Sequence, residues 1–235
     1  MMFYLNKNRI KHILAQYPNL FSFCYRHFAP VRNQELLVNE QTDLVIEGFP
    51  RSGNTFAVVA FQLAQTKLVR IAHHLHVEAQ ILNGLKQGLP VCVLIRHPLD
   101  AIKSLVVRHP QTSIEWAFAN YIQFYSNIMT VIPKCHIALF DEVIADYGKT
   151  INSINTKFGT KFDLFVHNDQ NVKAVFTEIE KINNEIDKGY ETHVARPSHF
   201  RIQAAKQVVI DESDTQVIAA IKLYEKYVKL AIHSS

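Results

Sequence analysis

The segment Gly48-Phe49-Pro50-Arg51-Ser52-Gly53-Asn54-Thr55 matches the phosphate-binding pattern G-x-x-x-x-G-K-[ST] at every defined position but one. Asn54 stands where the lysine belongs. The glycines let the chain curl, and the amides of Gly53 to Phe56 should open a helix whose N-terminus cradles a phosphate. The missing lysine is the group that neutralises the β- and γ-phosphates of a nucleoside triphosphate. Thr55 keeps a hydroxyl for a phosphate, and Arg51 puts a permanent cation inside the loop. Such a loop suits one phosphate joined to a second anionic group better than a triphosphate with magnesium.

A second basic turn, Arg96-His97-Pro98, follows the apolar run Val91-Cys92-Val93-Leu94-Ile95. Arg96 therefore falls at the C-terminal end of a strand, where open α/β sheets place their ligands. Ser104, eight residues on, points back toward the same region, and an arginine fork with a hydroxyl suits a second phosphate. Pairing of Arg96 with Asp100 at the helix entry is the plainer alternative. Between the two motifs lie His73, His74, His76 and Glu78, residue types suited to proton transfer near neutral pH. A histidine metal site is disfavoured, because no cysteine or carboxylate falls at zinc-finger spacing. Asp141-Glu142 after an apolar run would suit magnesium in a nucleotide triphosphatase or kinase, the rival enzyme class, but that reading needs the absent lysine.

The elements that must position these residues alternate. Residues 43–47 and 91–95 read as buried strands, and 136–140 as a third. Helical spacing follows over 56–65, 99–108, 116–129 and 143–158, and residues 1–40 read as one or two irregular helices broken near Asn19 and at Pro30. Ser213 with Gln216 forms a capping box for a last helix carrying Val217, Ile221, Tyr224, Val228 and Ala231. The expected fold class is α/β, a three-layer sandwich with a central, mostly parallel sheet and a P-loop-like phosphate-binding loop. No repeat, linker or low-complexity tract marks a boundary, so 1–235 reads as a single domain, with 1–40 a helical lead-in to a core over 41–235. The aromatic run from Trp116 to Tyr125 reads as core packing. The basic, aromatic stretch from Tyr4 to Arg32 reads as a helix packed on the domain rather than one docked on a membrane.

Composition sets the bounds. The 235 residues are 48% hydrophobic and 20% charged, which excludes intrinsic disorder. Mean hydropathy is −0.01, and no apolar run approaches the ~20 residues of a membrane span. A formal charge of +4 lacks the dense basic stripe of a nucleic-acid binder. Three cysteines without paired spacing fit a reducing compartment, and with no secretory signal the expected location is cytoplasmic.

Taken together, Phe49-Pro50-Arg51-Ser52-Gly53-Asn54-Thr55-Phe56 resembles the 5′-phosphosulfate loop of the sulfotransferases. Val93-Leu94-Ile95-Arg96 through Ser104 is similar to their 3′-phosphate motif, and Ala138-Leu139-Phe140-Asp141-Glu142 with Phe158-Gly159 to later landmarks. The resemblance spans residues 44–162, with a weaker echo near Arg196. It implies an enzyme that uses 3′-phosphoadenosine 5′-phosphosulfate (PAPS), releases PAP, and requires no metal. Residues Arg51, Ser52, Gly53, Asn54, Thr55 and Phe56 would hold the 5′ end, and Arg96 with Ser104 the 3′-phosphate. Arg196, within Arg196-Pro197-Ser198-His199-Phe200-Arg201, would stand in for the family's C-terminal phosphate-binding stretch. His74 aligns best with the family's base, with His73, His76 and Glu78 as alternatives, and Arg51 would assist catalysis. The acceptor would be a small molecule, glycan or lipid. A non-catalytic protein that keeps the PAPS or PAP pocket is a third possibility.

Overall fold

The computed structural model describes residues 11, 14–187 and 198–232. Its centre is a sheet of four parallel strands in the order β2-β1-β3-β4. These are β1 (Leu44–Gly48), β2 (Ile71–His73), β3 (Val91–Ile95) and β4 (His136–Leu139). Every residue of β1 and β3 is buried, because helices cover both faces; β3 accordingly reads as an unbroken apolar run, while β1 carries the buried Glu47. The strand β2 is only three residues long and gives no alternation to read.

Eleven α-helical segments are described: α1 (Pro18–Phe28), α2 (Val31–Gln34), α3 (Asn54–Ala64), α4 (Glu78–Lys86), α5 (Pro98–Arg108), α6 (Ile114–Ile128), α7 (Phe140–Ala145), α8 (Tyr147–Phe158), α9 (Asp169–Asp187), α10 (His199–Lys206) and α11 (Thr215–Ile232). One face of the sheet presents Val45, Val93 and Ile137 to α4, α5, α6 and α11 through Ile81, Ile102, Tyr125 and Tyr227. The other presents Ile46, Leu94 and Ala138 to α3, α8 and α9 through Phe61, Ile151 and Ile179. The result is a three-layer α/β sandwich. Among the described residues no helix is long and apolar enough to cross a membrane.

Two helix starts differ from expectation. The helix read over 143–158 is two helices, because Asp146 leaves helical geometry (φ −157°, ψ 85°) and its side chain accepts from the Lys149 amide to start α8. Gly159, at φ 67°, closes α8. The capping box of α11 does not form as expected: the Ser213 hydroxyl donates to Asp211, and Asp214 accepts from the Gln216 amide at 2.7 Å. A carboxylate one residue later does the capping that the serine was assigned.

Strand order fixes the ligand side. From β1 the chain steps to β2 on one side, then crosses back to β3 on the other, with α3 and α4 on opposite faces. The carboxyl ends of β1 and β3 therefore flank a topological switch point, the crevice where such sheets bind ligands. The loops after these two strands carry the two phosphate-like motifs.

Candidate functional site

The loop after β1 owes its shape to close contacts. A side chain on Gly48 would place Cβ 2.3 Å from the Leu94 carbonyl oxygen, so the position admits only glycine without moving a strand. The Ser52 amide turns back to the Phe49 carbonyl at 3.2 Å. Arg51 and Gly53 then adopt left-handed φ values of 71° and 90°. Helix α3 opens at Asn54, two residues before the apolar spacing indicated, and no side chain caps it. Among the described residues no backbone acceptor meets the amides of Asn54, Thr55 and Phe56. Those donors, with the helix dipole, present partial positive charge to the crevice.

Side chains of the loop divide by burial. Ser52, Asn54 and Phe56 are buried, whereas Arg51 and Thr55 are half-buried. Asn54, at the lysine position, turns inward and donates to the Phe49 carbonyl at 3.1 Å. It stitches the loop closed. Phe56 packs edge-on against Tyr147 and Phe165. Any contribution of Asn54 or Phe56 to a ligand therefore runs through the backbone.

Cations gather on the other side of the crevice. Ser104, on the second turn of α5, accepts from Arg51 Nε at 3.0 Å and from Arg201 Nη2 at 2.7 Å. A hydroxyl with both lone pairs engaged keeps its own proton to donate. Arg96 donates to the Arg51 carbonyl at 3.3 Å and lies 4.1 Å over the Phe140 ring, while its Nε is buried without a partner. Burial lowers the pKa of Arg96, opposed by Asp100 and Asp141. Burial, then repulsion from Arg108 and Arg96, pulls Arg201 down to about 10. A guanidinium depressed by neighbouring cations, as Arg201 is, is the kind of group that an anion would favour.

Three tyrosines brace this wall from behind. Tyr121 donates to the Arg96 carbonyl, Tyr125 to the Leu94 carbonyl and Tyr227 to the Tyr125 carbonyl, at 2.8, 2.8 and 2.7 Å. The Phe49 amide donates to the Tyr125 hydroxyl at 3.3 Å. The aromatic run of α6 is thus core, as its spacing suggests, and its hydroxyls fix the ends of the strands.

His73 ends β2, and His74 and His76 sit on the turn after it at φ 59° and 52°, conformations uncommon outside glycine. Glu47, fully buried at the end of β1, holds that turn. One carboxyl oxygen accepts from the Leu75 amide at 3.0 Å and the other from the Gly48 amide at 3.2 Å. Burial pushes the Glu47 carboxyl up to about 8, against the hydrogen bonds that favour its anion. His76 Nδ1 bonds the Gly48 carbonyl at 2.8 Å, and burial pushes its pKa down to about 3. Burial takes His73 to about 4. His74 is held well below the usual histidine range by burial first, then by His73, His76, Arg108 and Arg51.

His74 Nε2 meets Thr55 Oγ1 at 3.0 Å, and its Nδ1 meets His73 Nδ1. Of the four base candidates it is the one bonded to a side chain of the loop. Glu78 accepts from Asn127 on α6 at 2.8 Å and is turned away to that helix. Arg196 lies outside the described residues. Two site residues escaped sequence reasoning. Glu47 carried a signal as a charged residue ending a buried strand, and Arg108 stands four residues after Ser104 on one helical face.

No protein-family model matches the chain, and no curated protein matches it in sequence. Among solved structures it is similar to the crystal structure of mouse sulfotransferase SULT7A1 complexed with PAP, at 14% sequence identity and a TM-score of 0.46, over 85% of this chain and 88% of that one.

Proposed function

We propose that this protein, read as one domain over 1–235, is a sulfotransferase that moves the sulfuryl group of PAPS to a hydroxyl or amine of a small-molecule, glycan or lipid acceptor. One observation carries the reading: Arg51 and Arg201 converge on the Ser104 hydroxyl across the same crevice that the uncapped N-terminus of α3 enters. Two anion-holding ends fit a donor with a phosphate at each end of its ribose. A nucleoside triphosphate bound through one loop would leave the second end without a task and would lack the lysine.

In this reading the amides at the start of α3 and the Thr55 hydroxyl hold the 5′-phosphate. Arg96, Ser104 and Arg201 hold the 3′-phosphate, and Arg51 joins the two ends. The acceptor oxygen bonds to sulfur as the bond from sulfur to the donor's phosphate oxygen breaks. The acceptor's proton passes to Nε2 of His74, which is neutral before the reaction. Charge that builds on the departing phosphate is met by Arg51 and the loop amides, donors that are already in place. The cytoplasmic location belongs to the same reading.

Calorimetric titration with PAP in the presence of a chelator, beside ATP with Mg²⁺, tests it. Metal-independent PAP binding that Arg96→Ala abolishes is the expected result. Mg·ATP binding without PAP binding would replace this reading with that of a nucleotide triphosphatase or kinase.

A further inference from the structure

Helix α1 is held to the molecule along one side. Phe21 is buried with Leu37, Leu75 and Val77, whereas Tyr17, Leu20 and Phe23 are 61%, 48% and 58% exposed. Leu20 and Phe23 recur at a three-residue step of α1 and share its outward face, and Tyr17 precedes the helix as its N-cap. Phe28 and Val31, 80% and 73% exposed, carry the apolar surface past the break at Pro30. Single exposed hydrophobics are ordinary, but a contiguous set marks an interaction site.

Cations outnumber acids at this face, where Glu35, a turn after Val31, is the nearest exposed carboxylate. Arg26 and Arg32 are exposed, and Lys86 of α4 reaches Asn19 of α1 at 3.4 Å. Arg26 and Lys86 line a cleft of about 410 Å³ between α1 and α4, with Ser22 and Asn83 on its wall. An apolar ridge beside cations and small polar donors is the pattern of a helix lying in a lipid interface. The 11 residues of α1 would span only about 16 Å, roughly half a bilayer core, so such a helix lies on a membrane and does not cross it.

We propose that this face docks on an anionic lipid surface, with Leu20, Phe23 and Phe28 among the acyl chains and Arg26, Arg32 and Lys86 against lipid phosphates. A second copy of the chain fits less well. Twofold pairing of this face would bring its own cations toward one another, and like charges across an interface repel. Each cation near such a surface is worth roughly a fivefold gain in partitioning, and three give on the order of a hundredfold. Because Phe21 and Leu75 share one small core, docking would also bring the His74 turn near the membrane.

Co-sedimentation of the full chain with vesicles tests the proposal, comparing phosphatidylcholine alone with phosphatidylcholine containing a quarter phosphatidylglycerol. The expected result is partitioning to the anionic vesicles, weakened by salt and lowered at least about tenfold by L20S/F23S/F28S. R26Q/R32Q/K86Q is a second variant, confined to surface charge, and should lower it to a similar degree. Unchanged thermal melting of each variant separates lost docking from lost folding. Equal partitioning to both vesicle types, no partitioning, or full partitioning by either variant would overturn the proposal. So would a wild-type dimer in sedimentation velocity that the serine variant splits, since the face would then join two copies. Failure of PAP to bind would bear on the proposed chemistry and leave this result standing.

Discussion

Arg96→Met keeps the aliphatic stem and removes the cation, and the structure gives its two effects very different sizes. In the folded protein Arg96 makes one long hydrogen bond, 3.3 Å to the Arg51 carbonyl, worth about 0.5–1.5 kcal/mol. Its place over Phe140 adds roughly 0.5–1 kcal/mol. Against these, a buried Nε–H without an acceptor costs about 1–3 kcal/mol. The terms nearly cancel, so the variant should unfold in urea within about 1 kcal/mol of wild type. Binding of PAP is another matter. A guanidinium fork on a phosphate makes two charge-assisted bonds of roughly 1.5–3 kcal/mol each, and losing both should weaken the Kd at least about a hundredfold. Urea melts and calorimetry on the same preparations read both quantities. A variant destabilised by more than about 2 kcal/mol, with PAP affinity within roughly threefold of wild type, would refute the reasoning. Arg96 would then be a strut for the loop and not a ligand.

Gly48→Ala should cost about 1–3 kcal/mol, because its Cβ would collide with the Leu94 carbonyl and part β1 from β3; a thermal melt equal to wild type would contradict this close approach. Glu47→Gln should change how stability depends on pH. A carboxyl raised from 4.5 to about 8 stabilises the fold fully below pH 4.5 and loses that contribution as pH rises toward 8. His73 and His76, lowered from 6.5 to about 4 and about 3, do the opposite: their contribution is complete above pH 6.5 and fades as pH falls through those values. Wild type sums the two, so E47Q should gain more stability than wild type between pH 5 and 8, and parallel profiles would contradict the assignment. His74 is depressed in part by Arg51 and Arg108, so PAP phosphates beside those cations should raise its pKa. An imidazole signal that titrates at the same pH with and without PAP would place His74 outside the site.

The strands β1, β3 and β4 were legible because burial on both faces leaves an unmistakable apolar run, and the two phosphate-like turns were legible because each interrupts such a run. Strand β2 was not, since three residues carry no period. Helix α9 was missed although Val172, Val175, Ile179 and Ile182 repeat at helical steps, which shows a signal present and unread. What a single sequence withholds is distance. Nothing local to Ser104 announces that Arg201, 97 residues later, will share its hydroxyl with Arg51. Nor does the histidine cluster reveal that a carboxylate from β1 fixes its turn, because the bond from Glu47 to Leu75 joins segments 28 residues apart.

The bracing of the crevice by Tyr227 and Arg201 has a consequence for synthesis. A ribosome makes Arg51, Arg96 and Ser104 well before either residue appears. Until α10 and α11 have emerged, the nascent sheet lacks the guanidinium on Ser104 and the hydroxyl on the Tyr125 carbonyl. If the proposed function holds, the donor nucleotide would then have little hold on the half-made chain, since a ligand stabilises only the state that binds it. The donor would act as a late selector of finished molecules, protecting those that have completed the last helix and leaving truncated products to proteolysis.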